Sequence, residues 1–160
     1  MKIIGIDPGL IQTGYGIINV NNNQISLIDY GIIKPPPKDS LAYRLLNIFN
    51  DVCEIISNYN LQIFAIEEVF YGKNVKSAMR LGQARGASMV AAALKGIPVY
   101  EYSARKVKQS ITGNGNAHKT QVQFMVKAKL NMDHNPEPID AADALAIALC
   151  HDHQFRIADL

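Results

Sequence analysis

Residues 2–7 form an almost unbroken apolar run that stops at Asp7-Pro8-Gly9. A short apolar run closed by a turn dipeptide predicts a strand buried on both faces. Two further strand patterns follow, Gly14–Val20 and Gln24–Ile33, divided by Asn21-Asn22-Asn23. Asparagine tolerates positive φ, so this break predicts a hairpin and an antiparallel opening to the sheet. After Pro35-Pro36-Pro37, Asp39 or Ser40 is placed to cap a helix whose Leu41, Leu45, Ile48, Val52 and Ile55/Ile56 recur at helical spacing. Residues 61–67 predict a buried fourth strand, 74–95 a helix rich in small residues, and 97–100 a short strand. Helical stretches are expected near 103–111, 117–130 and 138–151. Strands first, then strands alternating with helices, predict an α/β layer fold with a mixed sheet.

At 160 residues and 48% hydrophobic, the chain is the size of one globular domain, so residues 1–160 are read as a single unit. Composition marks Pro35–Lys38, Gly113–Ala117 and the tail after His151 as exposed, mobile segments. The apolar start is too short for a signal peptide, and no stretch reaches the roughly 18–20 apolar residues of a membrane span. The expectation is a cytoplasmic protein without membrane association. Cys53 and Cys150 match no metal-ligand spacing and are read as reduced, partly buried thiols.

A net charge of only +2 hides a strong segregation. Residues 69–132 hold eleven Lys/Arg against one acid, Glu101, which makes that segment +10 and the remainder −8. Such a cationic segment suits a polyanion. Lys73, Lys76 and Arg80 fall on one arc of about 60° if 74–95 is helical. Arg105, Lys106, Lys108, Lys119, Lys127 and Lys129 continue the excess, and phosphate contacts from such residues give salt-dependent, largely sequence-blind affinity. The segment Gly113–Thr120 superficially resembles a phosphate loop. It lacks a Gly before Lys119 and joins helices, so no nucleotide cofactor is expected. Asn116 is a candidate cap for the next helix, whose free amides, with Lys119 nearby, could receive a backbone phosphate.

The acids gather where apolar elements end. Strand alternation puts Ile3, Gly5 and Asp7 on one face, and Ile63, Ala65 and Glu67 on one face of the fourth strand. If these faces coincide, the small Gly5 and Ala65 leave room for the Ala-rich run Asp140–Ala146. Asp140 and Asp143, three apart on that helix, project to the same side, and Pro138 suits its first turn. Crowded carboxylates drive protons onto one another unless a cation intervenes. Two magnesium ions would resolve the repulsion and support phosphodiester hydrolysis. Each signature alone has a plainer reading: Asp before Pro-Gly forms turns, and Asp-x-x-Asp caps helices. The joint occurrence favours a metal site, and alternation alone leaves Glu67 and Glu68 unresolved. Phe70 and Tyr71 either cover the core rim or stack on an unpaired base. His151 and His153 read as tail residues and His134 as loop. Gly82 and Gly86 allow close approach of another backbone, within the fold or across a subunit contact. Two rivals are a non-catalytic module that binds a polyanion through the same cationic surface and a glycoside hydrolase using two of the carboxylates; the cationic segment and the absence of Trp oppose the second.

Four stretches, Ile6–Gly9 with Thr13–Gly16, Phe64–Phe70, Leu81–Gly86 and Asp140–Ala148, resemble the RuvC family of crossover junction endodeoxyribonucleases, in order and over nearly the whole chain. The resemblance implies a ribonuclease H-like α/β fold: a mixed five-stranded sheet, its first three strands antiparallel, with helices on both faces. It also implies a homodimer that nicks two symmetric strands of four-way junction DNA, leaving 5′-phosphate and 3′-hydroxyl ends, and that cooperates with a branch-migration complex. Two Mg2+ per site are implied, with Mn2+ able to substitute. Position by position, Asp7, Glu67, Asp140 and Asp143 match the metal-binding acids, which selects Glu67 over Glu68. Phe70 matches the stacking aromatic, and Lys108 and Lys119 match basic residues near the cut. Leu10 and Ile11 replace a small polar and a basic residue, and Glu68 replaces a neutral one.

Overall fold

Asn22 and Asn23 both take positive φ, 48° and 65°, and turn the chain between strands β2 (Thr13–Asn21) and β3 (Gln24–Ile33). That is the tight hairpin their side chains allow. β2 also pairs antiparallel with β1 (Lys2–Asp7), matching Asp7 to Gly14. The computed structural model describes residues 1–69, 72 and 74–158. The remaining elements are α1 (Leu41–Tyr59), β4 (Ile63–Glu67), α2 (Val75–Leu94), β5 (Val99–Tyr102), α3 (Ala104–Thr112), α4 (Lys119–Lys129) and α5 (Ile139–Ala158). β4 lies parallel to both β1 and β5, so the sheet order is β3-β2-β1-β4-β5. The mixed sheet, antiparallel in its first three strands, has the expected ribonuclease H-like arrangement.

Local chemistry explains most boundaries. Ser40 is the residue that caps α1, accepting from the Tyr43 amide, and Asn60 ends the helix at φ 52°. β5 runs two residues later than the sequence pattern predicts. Pro98 has no amide to donate, and its carbonyl accepts from Phe64 N at 3.0 Å, so regular pairing starts at Val99. His118 takes the N-cap position of α4 without a side-chain bond, so Asn116 is not the cap the sequence predicts. Its amide instead donates to Asn114 Oδ1 at 2.9 Å within the preceding turn.

Each face of the sheet carries its own core. Ile4, Ile6, Ile17, Phe64 and Ile66 pack against α1 and α2. Ile3, Ile18 and Ala65 face the other way, onto α5, with α3 and α4 closing that layer. α5 is therefore enclosed: Ala141, Ala142 and every residue from Ala144 to Asp152 are buried. The tail after His151 is largely exposed, as expected, but is helix rather than loop as far as Ala158. His151 is buried with its Nδ1 2.8 Å from the Tyr102 hydroxyl, and Arg156 ties the final turn to Asp152 at 2.9 Å. Cys53 and Cys150 are free thiols, the second buried. Among the described residues no helix is long and apolar enough to cross a membrane.

Candidate active site

Glycine on the sheet brings the acids together. Gly5 and Ala65 are paired on adjacent parallel strands, and α5 lies so close over them that a Cβ on Gly5 would sit 2.0 Å from the Ala144 carbonyl oxygen. Gly14, the strand partner of Asp7, is equally bare: a Cβ there would be 2.0 Å from the Asp140 carbonyl oxygen. The start of α5 therefore lies directly on β2 where it pairs with the end of β1. Asp140 and Asp143 consequently hang over Asp7, and one carboxylate oxygen from each of the three lies within 4.8 Å of the others. Pro138 precedes the helix rather than occupying its first turn, and its carbonyl accepts from Ala141 N at 3.0 Å. Asp140 still falls in that first turn, near the positive end of the helix dipole.

Glu67 ends β4 beside Asp7, and the two line one cleft of about 170 Å³ with Lys108, Lys119 and Asp143. Glu68, the next residue, is exposed and lines an adjoining cleft with Asp7 and Glu67. The crowding shows in the acidities. Burial, then the charges of Glu67, Asp143 and Asp140, push Asp7 up to about 8 from an ordinary 3.8. Glu67 is also raised, by burial first and then by the Asp143 charge, while Lys119 and a hydrogen bond with Asp7 oppose the rise. Asp143 is raised by burial and held back chiefly by Lys119, whose Nζ lies 3.2 Å from its Oδ2. Hard carboxylate oxygens with too little counter-charge form the donor set that a divalent, oxygen-seeking cation requires.

The cations expected around the cluster are partly assembled with it. Lys108 and Lys119 line the acidic cleft itself. Arg80 shares an adjoining cleft with Arg44, Gln12, Lys119 and Asp140, and Lys76 is exposed on the same helix as Arg80. Phe70, Tyr71 and Lys73 lie outside the described residues.

The chain matches the family model described as "Crossover junction endodeoxyribonuclease RuvC" over residues 3–151. It belongs to the RuvC family. The RuvC of Pelotomaculum thermopropionicum is 45% identical over 97% of this chain and 94% of its own length. The solved Thermus thermophilus RuvC superposes with a TM-score of 0.91 at 35% identity, covering 99% of this chain and 97% of that one. The same species' RuvC in complex with a Holliday junction substrate gives 0.89 at 33% identity, covering 98% and 96%.

Two polar side chains at this RuvC site escape sequence reasoning. The Gln12 amide donates to Asp140 Oδ2 from the loop after β1. Arg85, on α2, donates through Nε to the Glu67 carbonyl at 3.0 Å and pairs with Glu101. Gln12 carried only the signal of a polar residue close after Asp7. Arg85 lies within Leu81–Gly86, one of the stretches that resemble the family, but reads as one more surface cation.

Proposed function

We propose that this chain is a magnesium-dependent, structure-selective endonuclease that resolves four-way DNA junctions by paired symmetric nicks, serving recombination and repair in the cytoplasm. The observation that carries the reading is the convergence of Asp7, Asp140 and Asp143, with Asp7, Asp143 and Glu67 lining a cleft that also contains Lys108 and Lys119. Such a cleft combines oxygen ligands for cations with cations for a phosphate.

Asp7, Glu67, Asp140 and Asp143 would hold two magnesium ions, and manganese would fit the same oxygens. Bound there, the metals supply an activated water for attack on the scissile phosphorus and charge for the departing 3′-oxygen, so the products carry 5′-phosphate and 3′-hydroxyl ends. The chain's own groups do the rest. The β1 and β4 termini and the start of α5 fix the carboxylates before substrate arrives, so little reorganisation is needed at reaction. Lys108 and Lys119 draw the backbone phosphate into the cleft, and Lys76 and Arg80 extend the cationic track along α2. By its helical spacing with Lys76 and Arg80, Lys73 belongs to that track, and by the family resemblance Phe70 stacks on a base at the junction.

Two symmetric nicks need two copies of the site, and α2 offers a surface for pairing. Val75, Met79, Val90 and Leu94 are each more than half exposed, while Gly82 and Gly86 have nothing within 4 Å of where a Cβ would be. An apolar helix face with two bare backbone positions suits packing against a second copy. Cooperation with a branch-migration complex rests on family membership alone.

The test is cleavage of end-labelled four-way junction, linear duplex and fork DNA with and without magnesium. Wild type is expected to nick the junction symmetrically and spare the duplex. Asp7→Asn is expected to abolish nicking while junction binding stays within about tenfold, since phosphate contacts carry the affinity. Normal cutting by Asp7→Asn would refute the assignment. Tight binding in EDTA with no cleavage after magnesium is restored would instead identify a non-catalytic junction-binding module.

A further inference from the structure

Glu67 is the last residue of β4, and the sheet holds it from one side only. β1 pairs with residues 63–66 and stops short of it. On the other side Glu67 is matched to Tyr102 of β5, and the next amide, Glu68 N, donates to the Tyr102 carbonyl at 2.9 Å. The Glu67 carbonyl is taken by a side chain: Arg85 Nε reaches it from α2 at 3.0 Å. The same guanidinium uses Nη2 to pair with the Glu101 carboxylate on β5. Its side chain is only 18% exposed, against 45% for Glu101. One planar fork therefore joins a helix, the terminus of the strand bearing an acid of the site, and the edge strand beside it. Such a fork loses less freedom per bond than a lysine would, and lysine cannot span both acceptors in one plane.

We propose that Arg85 is a positioning residue for the metal centre, fixing the backbone at Glu67 and hence the direction of its carboxylate. The proposal deepens the reading that Glu67 holds metal and rests on it. Groups that orient metal ligands without touching the ion commonly account for about 10–100-fold in metal affinity.

The experiment measures Mn2+ binding to the full-length protein without DNA, by electron paramagnetic resonance, for wild type, Arg85→Met, Arg85→Lys and Glu67→Gln. The magnesium concentration giving half-maximal junction cleavage is measured in parallel. Arg85→Met is expected to weaken Mn2+ binding about tenfold or more and to raise the magnesium requirement similarly. Junction affinity in EDTA should stay within about threefold, because the phosphate-contacting lysines are untouched. Arg85→Lys keeps the charge opposite Glu101 but not the fork, and should remain at least about fivefold weaker than wild type. It carries the test if Arg85→Met fails to fold. Loss of metal affinity in Glu67→Gln alone, with both folded Arg85 variants within about twofold of wild type, would overturn the positioning role. Unchanged Mn2+ binding in Glu67→Gln would instead remove the ligand assignment on which the proposal stands.

Discussion

Lys119 Nζ donates to Asp143 Oδ2 at 3.2 Å, so a lysine of the cationic middle is an inner member of the acid cluster. Lys119 opposes the rise in acidity at Asp7, Glu67 and Asp143 alike. Its own pKa is raised, first by the Asp143 charge. With its side chain 67% exposed, the ammonium can leave for a substrate phosphate once metal neutralises the carboxylates. A metal bound by these carboxylates would have to compete with this counter-charge.

Removing that lysine is therefore expected to help metal and harm catalysis. Lys119→Met should bind Mn2+ about two- to fivefold more tightly in the absence of DNA, matching the ~0.5–1 kcal/mol of an exposed ion pair. Junction cleavage should fall by more than about tenfold, since the cleft loses one of the two lysines that line it and are proposed to draw in the phosphate. Paramagnetic resonance titration of the free protein checks the first effect. Equal or weaker Mn2+ binding would show that Lys119 does not compete with the ion.

Without metal, the chain should lose stability as pH rises. Asp7 keeps its proton in the native state until about pH 8, whereas its ordinary value is 3.8. Between those values the native state binds more protons than the unfolded chain, so each step upward in pH favours unfolding, and the effect levels off above about 8. Asp7→Asn removes the titration. Between about pH 5 and pH 8 in EDTA, wild type should lose at least about 3 °C more in melting temperature than Asp7→Asn, corresponding to ~1 kcal/mol for a chain of this size. Superimposable melting curves across that window would contradict the burial and repulsion assigned to Asp7.

The proton on Asp7 is also a competitor for metal. Since this carboxyl titrates at about 8 without metal, magnesium uptake at neutral pH should release protons, and metal affinity should climb as pH rises toward 8. Calorimetric titration in buffers of different ionisation enthalpy reads the released protons directly. Wild type should release about half a proton or more per site near pH 7, and Asp7→Asn distinctly fewer. Buffer-independent heats in wild type would exclude the linkage.

What the sequence made legible follows from where the signals are local. Gly5 and Ala65 sit beside acids at strand ends, and two-residue alternation makes the alanine-rich helix the candidate to lie over them once the two faces coincide, as the β1–β4 register shows they do. Glu67 and Glu68 could not be separated by pattern, because the choice depends on which face of the strand meets α5, a tertiary fact. The pattern ends α5 at His151, whereas the helix runs on to Ala158; its last turns, largely exposed with Phe155 and Ile157 facing solvent, lack the one-sided apolar stripe that marks a surface helix. His151 itself packs against Tyr100, Tyr102 and Phe155, residues up to 51 positions away. Gln12 and Arg85 were missed for the same reason: their partners, Asp140 and Glu67, lie 128 and 18 residues distant.

The most direct test of how the fold builds the site is a single methyl group. In Gly5→Ala the new Cβ would lie 2.0 Å from the Ala144 carbonyl oxygen and 2.7 Å from the Ala148 amide nitrogen, both backbone atoms that no rotamer change can move. α5 must lift, carrying Asp140 and Asp143 away from Asp7. The expected cost is about 3 kcal/mol or more in stability, at the upper end for overpacked cores, together with loss of cleavage at temperatures where the variant remains folded. Gly82→Ala is the contrast. Nothing lies within 4 Å of its added Cβ, and replacing a mid-helix glycine should stabilise the isolated chain by ~0.5–1 kcal/mol. Any penalty in Gly82→Ala should appear only as weaker self-association, because the methyl then stands on the helix face assigned to a second copy. Thermal melting and sedimentation of the two variants separate these effects. A Gly5→Ala protein that melts and cuts like wild type would show that close seating of α5 on β1 is not what brings the acids together.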